Sequence, residues 1–174
     1  GRDYRFVVWA DFVKAGVKPY YNVEDLTNVF IIGTHNAMNE SRDAYTDVQT
    51  IENFGSASKI KMTLTRPFAK LRVVTTDMED LANLGINPTH AIVEYTTPYR
   101  AGFNALSCTP FEADQNNIKV HQRSITEAYA IVAYGDNTAA NKVLFTDYLF
   151  ASADQNDVVK FNLSVYENAD KSGH

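Results

Sequence analysis

The chain has 174 residues, of which 45% are hydrophobic and 21% are charged, so it has the composition of a folded globular protein. It is long enough to bury one sizeable core. The formal net charge of -5 leaves no basic stripe of the kind that neutralises phosphates, so nucleic acids and anionic membrane surfaces are not expected partners. Cys108 is the single cysteine, so neither an intramolecular disulfide nor a multi-cysteine metal site can form.

Strands are the favoured element, because ten Tyr and ten Phe accompany many Val, Ile and Thr residues. The first strand is predicted at 4–10, where apolar residues in both alternating sets indicate that both faces are covered. A second short strand is predicted at 29–32 and ends at Gly33. Residues 34–57 are rich in Asn, Ser and Asp and predict a long surface loop, in which only 42–48 would form a turn of helix.

The clearest alternation of apolar and polar residues lies at 59–65 and predicts a half-solvated strand. Pro67 cannot donate to a ladder, so it marks a break before the next predicted strand at 69–75. A capping box with the sequence Thr-Asp-Met-Glu, in which Thr76 is the N-cap, predicts the start of a helix. This helix of about two turns is predicted to end at Gly85.

Clusters of Pro, Gly, Asn and Asp separate the remaining strands. These strands are predicted at 90–96, 102–106, 118–121, 125–134, 143–150 and 158–166. The whole chain therefore predicts a mostly-β fold with about nine strands and one short helix. Two loops, 112–118 and 152–158, share an Ala-Asp-Gln-Asn run and predict hairpin corners.

The sequence contains no recognisable arrangement for catalysis, for a cofactor or for a metal. No two of the four histidines have the spacing of zinc ligands. Weak calcium binding by Asp154, Asn156 and Asp157 is one interpretation of the second loop, and an ordinary hairpin turn is the other. A lone Cys108 is typical of an inert thiol, and a glycine-rich phosphate loop or nucleophile elbow is absent from the sequence. We therefore predict no catalytic, cofactor-binding or metal-binding residues.

Aromatic side chains in or near loops are the remaining candidates for contact with a ligand or partner, because they can stack on sugars or peptides. About half of them are expected to cap the core instead. The candidates are Tyr20, Tyr21, Tyr45, Tyr95 and Tyr99.

Four runs in the first half of the chain carry a family resemblance. The most specific is Arg-Pro-Phe-Ala-Lys-Leu at 66–71, which lies within a longer match over 64–77. The others are Tyr-Arg-Phe-Val-Val-Trp-Ala-Asp-Phe-Val at 4–13, Tyr-Asn-Val-Glu-Asp-Leu at 21–26 and Ser-Arg-Asp-Ala-Tyr at 41–45. With these runs the chain resembles the fimbrillin-like cell-adhesion lipoproteins of Bacteroides-type bacteria. The later strands fit that family in layout rather than in motif.

The resemblance implies a Greek-key, transthyretin-like β-sandwich that forms a single domain over 1–174. It also implies export, display at the outer membrane or in a fimbrium, and the role of a non-enzymatic adhesion or fimbrial structural subunit. The implied partners are other fimbrial subunits or surface proteins and glycans. No cofactor is implied, and membrane contact is implied only through a lipid anchor that is absent from this chain.

The family places a further strand or hairpin before the strand predicted at 4–10, and this chain starts at that strand. We therefore expect an unpaired sheet edge or groove, which an incoming strand would complete. The alternative function is a carbohydrate-binding module with a row of exposed aromatic side chains, and an enzyme is a more distant third.

Overall fold

The structure is a computed structural model that describes residues 1–33, 37–55, 59–97, 100–111, 129–156, 158–168 and 170. These residues form antiparallel strands, one α-helix and one 3-10 turn, which confirms the prediction of a mostly-β chain with one short helix. The elements are β1 (Arg2–Asp11), β2 (Tyr21–Asn22), β3 (Val29–Ile31), the 3-10 turn (Glu40–Arg42), β4 (Ala44–Phe54), β5 (Phe68–Thr75), α1 (Met78–Asn83), β6 (His90–Tyr95), β7 (Gly102–Asn104), β8 (Thr109–Phe111), β9 (Tyr129–Ala130), β10 (Val132–Ala133), β11 (Lys142–Phe150) and β12 (Phe161–Tyr166).

Two three-stranded sheets pack face to face as a β-sandwich. One has the strand order β10-β11-β5 and the other has the order β12-β6-β9. The consecutive strands β5 and β6, with α1 between them, fall in different sheets, and so do β11 and β12. The sandwich core lies between the sheets and is formed by Val93, Tyr95, Phe145 and Leu149, with the buried Ala37 beside them.

A second core, here called the aromatic core, is shared by β5, β11 and the four-stranded sheet β2-β3-β7-β8. Phe150 stacks on Phe68 with 4.5 Å between ring centroids and on Phe103 with 5.4 Å. Trp9 of β1 packs at its margin, edge-on to Tyr21 at 5.5 Å. Many of the aromatic residues that favoured strands in the sequence therefore meet in this core, and others, such as Phe145, lie in the sandwich core.

β11 is buried on both faces because its side chains are divided between the two cores. Phe145 and Leu149 belong to the sandwich core, whereas Tyr148 and Phe150 belong to the aromatic core. A strand that is covered on both sides is read in the sequence as a nearly continuous apolar run. This explains why the sequence of β11 shows no alternation of apolar and polar residues.

β1 and β4 form a separate antiparallel ribbon, in which the register runs from Tyr4 opposite Ile51 to Asp11 opposite Ala44. The prediction of a surface loop over 34–57, with a helical turn at 42–48, is therefore wrong where β4 lies. The inward side chains near the start of β4 are small, and Ala44 is fully buried. Small residues give a weak alternation, so the strand was not recognisable without its partner β1.

The regular strand predicted at 59–65 is also wrong, because only Thr65 makes a β-bridge, which joins it to Thr46. The two residues exchange N–H to carbonyl bonds of 2.8 and 2.9 Å. Two residues before Thr65, a side chain takes the place of the backbone acceptor. The N–H of Thr63 donates to Oδ2 of Asp47 at 2.8 Å. The segment therefore runs beside β4 without pairing regularly with it.

The helix α1 begins one residue later than its capping box predicts. Asp77, rather than Thr76, precedes the first helical residue, and it makes no side-chain hydrogen bond to the helix. Its carboxylate accepts from the hydroxyl of Thr75 instead, so the predicted capping box is wrong. The predicted end is confirmed, because Gly85 follows the helix with a φ of +78°, a conformation that glycine adopts without strain.

Most of the other strand predictions agree with the structure. Strands are found within 4–10, 29–32, 69–75, 90–96, 102–106, 143–150 and 158–166. The strand predicted at 118–121 and the loop at 112–118 lie outside the described residues. The range 125–134 is described from 129 onward, where β9 and β10 form.

Candidate functional site

Two of the five candidate tyrosines are buried, and a third, Tyr99, lies outside the described residues. Tyr21 in the aromatic core and Tyr95 in the sandwich core are each 1% exposed. Their hydroxyls meet polar partners in the interior. Tyr21 donates to the carbonyl of Arg42 at 2.5 Å, and Tyr95 donates to Oδ2 of Asp147 at 2.5 Å. Neither ring presents a face to a sugar or a peptide.

Tyr20 and Tyr45 are half-buried, and their hydroxyls are already bonded. The hydroxyl of Tyr20 accepts from Nδ2 of Asn39 at 2.8 Å. The hydroxyl of Tyr45 donates to Oδ2 of Asp43 at 3.0 Å and accepts from Nη2 of Arg66 at 2.7 Å. The same guanidinium lies 4.9 Å from the centroid of the Tyr45 ring. The four described tyrosines therefore form no common binding surface.

A buried ion pair joins the 3-10 turn to the central strand β11. Nη1 of Arg42 donates to Oδ1 of Asp147 at 2.7 Å, and the two side chains are only 2% and 0% exposed. Nη2 of Arg42 donates to the carbonyl of Tyr148 at 3.2 Å, and the N–H of Tyr148 donates to the same Oδ1 at 2.7 Å. Charge-assisted hydrogen bonds of this kind offset the cost of removing both charges from water.

These contacts form a network with a structural role, here called the Arg42 network. It comprises Arg42, Asp147, Tyr21 and Tyr95. Burial raises the pKa of Tyr21 despite the opposing influence of the Arg42 charge, so its hydroxyl remains a donor. All four residues are almost completely buried, so the Asp147 carboxylate cannot reach a substrate. The network holds the turn Glu40–Arg42 against β11.

Outside this network, Glu40 pairs with the cations of β5. Its carboxylate accepts from Nζ of Lys70 at 2.6 Å, lies 3.5 Å from Nη2 of Arg72 and accepts from the hydroxyl of Tyr148. The hydrogen bond from Lys70, followed by the one from Tyr148, lowers the pKa of Glu40. Lys70 and Arg72 are thereby committed to an internal anion, so this cluster is a poor site for an anionic ligand.

The free edge of β1 is the most prominent candidate for binding. β1 pairs with β4, and no other described strand bonds to it. The N–H and carbonyl of Thr46 are both bonded to Thr65, so Trp9, which lies opposite Thr46 in the ribbon, is not hydrogen-bonded to it. In an antiparallel pair such a residue turns both backbone groups away from its partner, and the pattern recurs at every second residue. The free edge therefore presents the backbone groups of Arg5, Val7, Trp9 and Asp11.

A cluster of aromatic side chains lies at the end of the ribbon where β1 begins and β4 ends. The ring of Phe54 lies 5.6 Å from that of Tyr4 and 5.2 Å from that of Phe6, between centroids. Tyr4 is 47% exposed, and the other two rings are half-buried. The rings meet at angles of 58° and 71°, so they pack against one another rather than forming a flat platform.

Within the described residues, no three His, Cys, Asp or Glu side chains are placed to hold a metal ion. In the loop considered for calcium, Oδ1 of Asp154 accepts from the backbone N–H and side-chain amide of Asn156 at 2.9 and 3.0 Å, while Asp157 is not among the described residues. The described residues contain one α-helix, α1, and it is too short and too polar to cross a bilayer.

The Arg42 network was missed in the sequence, although one signal for it was present. Asp147 is the single charged residue in the run 143–150, which is otherwise apolar except for Thr146, and a carboxylate in such a place requires a buried cation or donors. The partner Arg42 lies 105 positions away along the chain. No spacing rule selects it from the 16 Lys and Arg residues of the sequence.

Comparison with known proteins gives a family. No curated protein and no solved structure matches the chain. The family described as "Family of unknown function (DUF6562)" matches residues 1–173. The chain therefore belongs to the DUF6562 family.

Proposed function

We propose that the chain is a non-enzymatic, fimbrillin-like subunit of a cell surface or fimbrium, exported to the outer membrane, that binds other fimbrial subunits or surface proteins by accepting a strand. The observation that carries this proposal is the free edge of β1. Ten residues of strand extend over about 33 Å, enough for a full-length strand partner. The edge residues offer regularly spaced donors and acceptors, which is the requirement for strand addition.

The surroundings of this edge also favour a strand partner. Val7 and Trp9 pack against the aromatic core, so the part of β1 that would receive a partner is anchored to the protein interior. An anchored edge loses little conformational entropy when it binds, and this favours affinity. Exposed strand edges that lack protection pair readily with other chains, which makes assembly the natural use of such an edge.

The test compares Arg5→Pro with its matched control, Arg5→Ala. Arg5 is exposed and turns its N–H away from β4, so proline removes a donor from the free edge without breaking the ribbon ladder. Size-exclusion chromatography with light scattering would follow self-assembly, and a peptide with the sequence of residues 158–166 would serve as the incoming strand. We expect peptide binding to weaken about fivefold to tenfold in Arg5→Pro and to be retained in Arg5→Ala.

Two outcomes contradict the proposal. One is equal binding by the proline and alanine variants, which would place the contact elsewhere. The other is a wild-type protein that stays monomeric and does not bind the peptide. Hydrogen exchange provides a local readout, because the amides of Val7 and Trp9 should become protected when a strand is added and remain unprotected otherwise.

A carbohydrate-binding module is the second candidate, and the aromatic cluster of Tyr4, Phe6 and Phe54 is the observation that favours it. Aromatic rings at a surface can stack on sugar faces, and Tyr4 is the most accessible of the three. A glycan array probed with wild type and with Tyr4→Ala would test this function. Binding that is lost in Tyr4→Ala but retained in Arg5→Pro would favour it over strand addition.

A further inference from the structure

The segment after β1, residues 12–19, is an exposed loop with an apolar composition, here called the tip loop. All eight of its residues are exposed. Phe12, Val13 and Val17 are 58%, 64% and 49% exposed, so three large apolar side chains remain in water within six positions. Single exposed apolar residues are ordinary, but a cluster of them marks an interaction site.

The backbone of the tip loop contains a closed turn. The N–H of Val17 donates to the carbonyl of Lys14 at 3.0 Å, and Gly16 has a φ of +79°. A positive φ at the third position of a four-residue turn is the signature of a type II turn, which glycine accepts without strain. The loop is therefore closed by its own hydrogen bond, with its apolar side chains outside any core.

Two lysines alternate with the apolar side chains along the loop, since Lys14 follows Val13 and Lys18 follows Val17. The ammonium groups of Lys14 and Lys18 take part in no ion pair or hydrogen bond with the described residues. This distinguishes them from Lys70 and Arg72, which are paired with Glu40. Apolar side chains combined with cations that no described residue neutralises match the boundary between the acyl chains and the phosphates of an anionic bilayer.

A lipid surface fits this loop better than a protein partner does. A stable protein interface requires about 800 Å² from each partner, and an exposed loop of eight residues is small for that purpose. Insertion into a bilayer interface requires only a few apolar side chains that reach below the phosphates. The net charge of -5 weakens attraction of the whole protein to an anionic surface, which is why anionic membranes were not expected partners from the sequence. Screening at physiological salt limits that repulsion to about 8 Å, however, so the lysines of an exposed loop act locally.

We propose that the tip loop inserts into the headgroup layer of an anionic lipid bilayer. Phe12 and Val13 enter the acyl boundary together with Val17, while Lys14 and Lys18 contact lipid phosphates. This inference does not depend on strand addition, because it uses the loop beyond β1 rather than the free edge of the strand.

The test uses flotation with vesicles of phosphatidylcholine alone and of phosphatidylcholine mixed with phosphatidylglycerol. We expect wild type to bind the mixed vesicles, and Phe12→Ser/Val13→Ser to bind them at least about tenfold more weakly. Lys14→Gln and Lys18→Gln should each weaken binding to the mixed vesicles about fivefold. A Phe12→Trp variant should shift its added fluorescence to shorter wavelength with the mixed vesicles and be quenched by brominated acyl chains.

Leu84→Ser is the matched control, because Leu84 is 75% exposed and belongs to another part of the chain. It should bind like wild type. Equal binding by Phe12→Ser/Val13→Ser and wild type would overturn the proposal. Failure of wild type to bind the mixed vesicles would also overturn it. If Phe12→Ser/Val13→Ser then lost adhesion to a protein-coated surface, the partner of the loop would be a protein. Arg5→Pro should keep vesicle binding, which separates this test from that of strand addition.

Discussion

The charged side chains of Asp147 and Arg42 lie in the interior, where they lose their contact with water. The effective cost of burying each ion is several kcal/mol, and it is offset only by close geometry and additional hydrogen bonds. Asp147 has both, since it accepts from Arg42, from Tyr95 and from the N–H of Tyr148. The pair therefore contributes more to the position of the 3-10 turn than to net stability.

Removing one member of this pair is predicted to be severe. In Asp147→Asn the Arg42 cation keeps its burial and loses its counter-charge, which should lower the free energy of unfolding by about 3–5 kcal/mol. Urea unfolding followed by far-UV circular dichroism measures this loss. Lys70→Met is the control, because it breaks the surface pair with Glu40 and should cost less than about 1 kcal/mol. A loss of similar size in both variants would contradict the structural role of the buried pair.

Glu40 is predicted to make stability depend on pH. The hydrogen bonds from Lys70 and Tyr148 lower its pKa below the ordinary value of 4.5 in the folded protein. Its contribution is therefore present above pH 4.5 and is lost as the pH falls through the lower, folded-state pKa. Urea midpoints of wild type and Glu40→Gln should differ near neutral pH and converge in acid. A difference that persisted unchanged in acid would show that the glutamine disturbs packing instead.

The structural role of a single residue could be predicted from the sequence where that role depends on the neighbouring residues alone. Gly85 ends α1 as predicted because its positive φ is a local requirement. The fate of Tyr21 and Tyr95 was not local, since both lie near loops in the sequence and their rings enter cores assembled from distant strands. Proximity to a loop therefore did not establish exposure.

At the scale of the element, β4 and the segment at 59–65 show the limit of periodicity. The segment has the clearer alternation, yet β4 forms the regular ladder because β1 supplies a complete partner strand. The segment is joined to β4 by the side-chain acceptor of Asp47, by a hydrogen bond from Nε2 of Gln49 to the segment's backbone, and by a single bridge to Thr46. A pattern of side chains indicates which face is buried, but the backbone partner decides whether a strand forms.

The contact between Asp47 and the segment gives a prediction for this element. In Asp47→Ala the N–H of Thr63 loses its acceptor, so its amide should exchange with solvent at least about tenfold faster. The amide of Thr65 is an internal control, because it donates to the carbonyl of Thr46 and should keep its protection. Hydrogen exchange followed by NMR measures both. Unchanged exchange at Thr63 would mean that the segment is held by other contacts.

At the scale of the whole molecule, the sharing of β11 connects the two cores. The mostly-β class and most strand positions were predictable, because aromatic and β-branched residues mark strands wherever they occur. The division of β11 between two interiors was not predictable, since a strand covered on both faces shows no alternation to assign its residues. The apolar residues of β1 suggested two covered faces and carried no information about a free edge, and the expectation of an unpaired edge at this strand came from the family resemblance.

The shared strand predicts that the protein unfolds as one unit. Trp9 is the only tryptophan and packs against the aromatic core, whereas Phe145 lies in the sandwich core. Phe145→Leu removes packing from the sandwich core and should lower stability by roughly 1–3 kcal/mol. Because both cores depend on β11, the unfolding midpoint measured by Trp9 fluorescence should decrease by the same amount as the midpoint measured by far-UV circular dichroism. If the cores were independent, Trp9 fluorescence would keep its wild-type midpoint while circular dichroism showed an earlier step. A Phe103→Leu variant in the aromatic core supplies the reciprocal test, and in a cooperative protein it shifts both signals together.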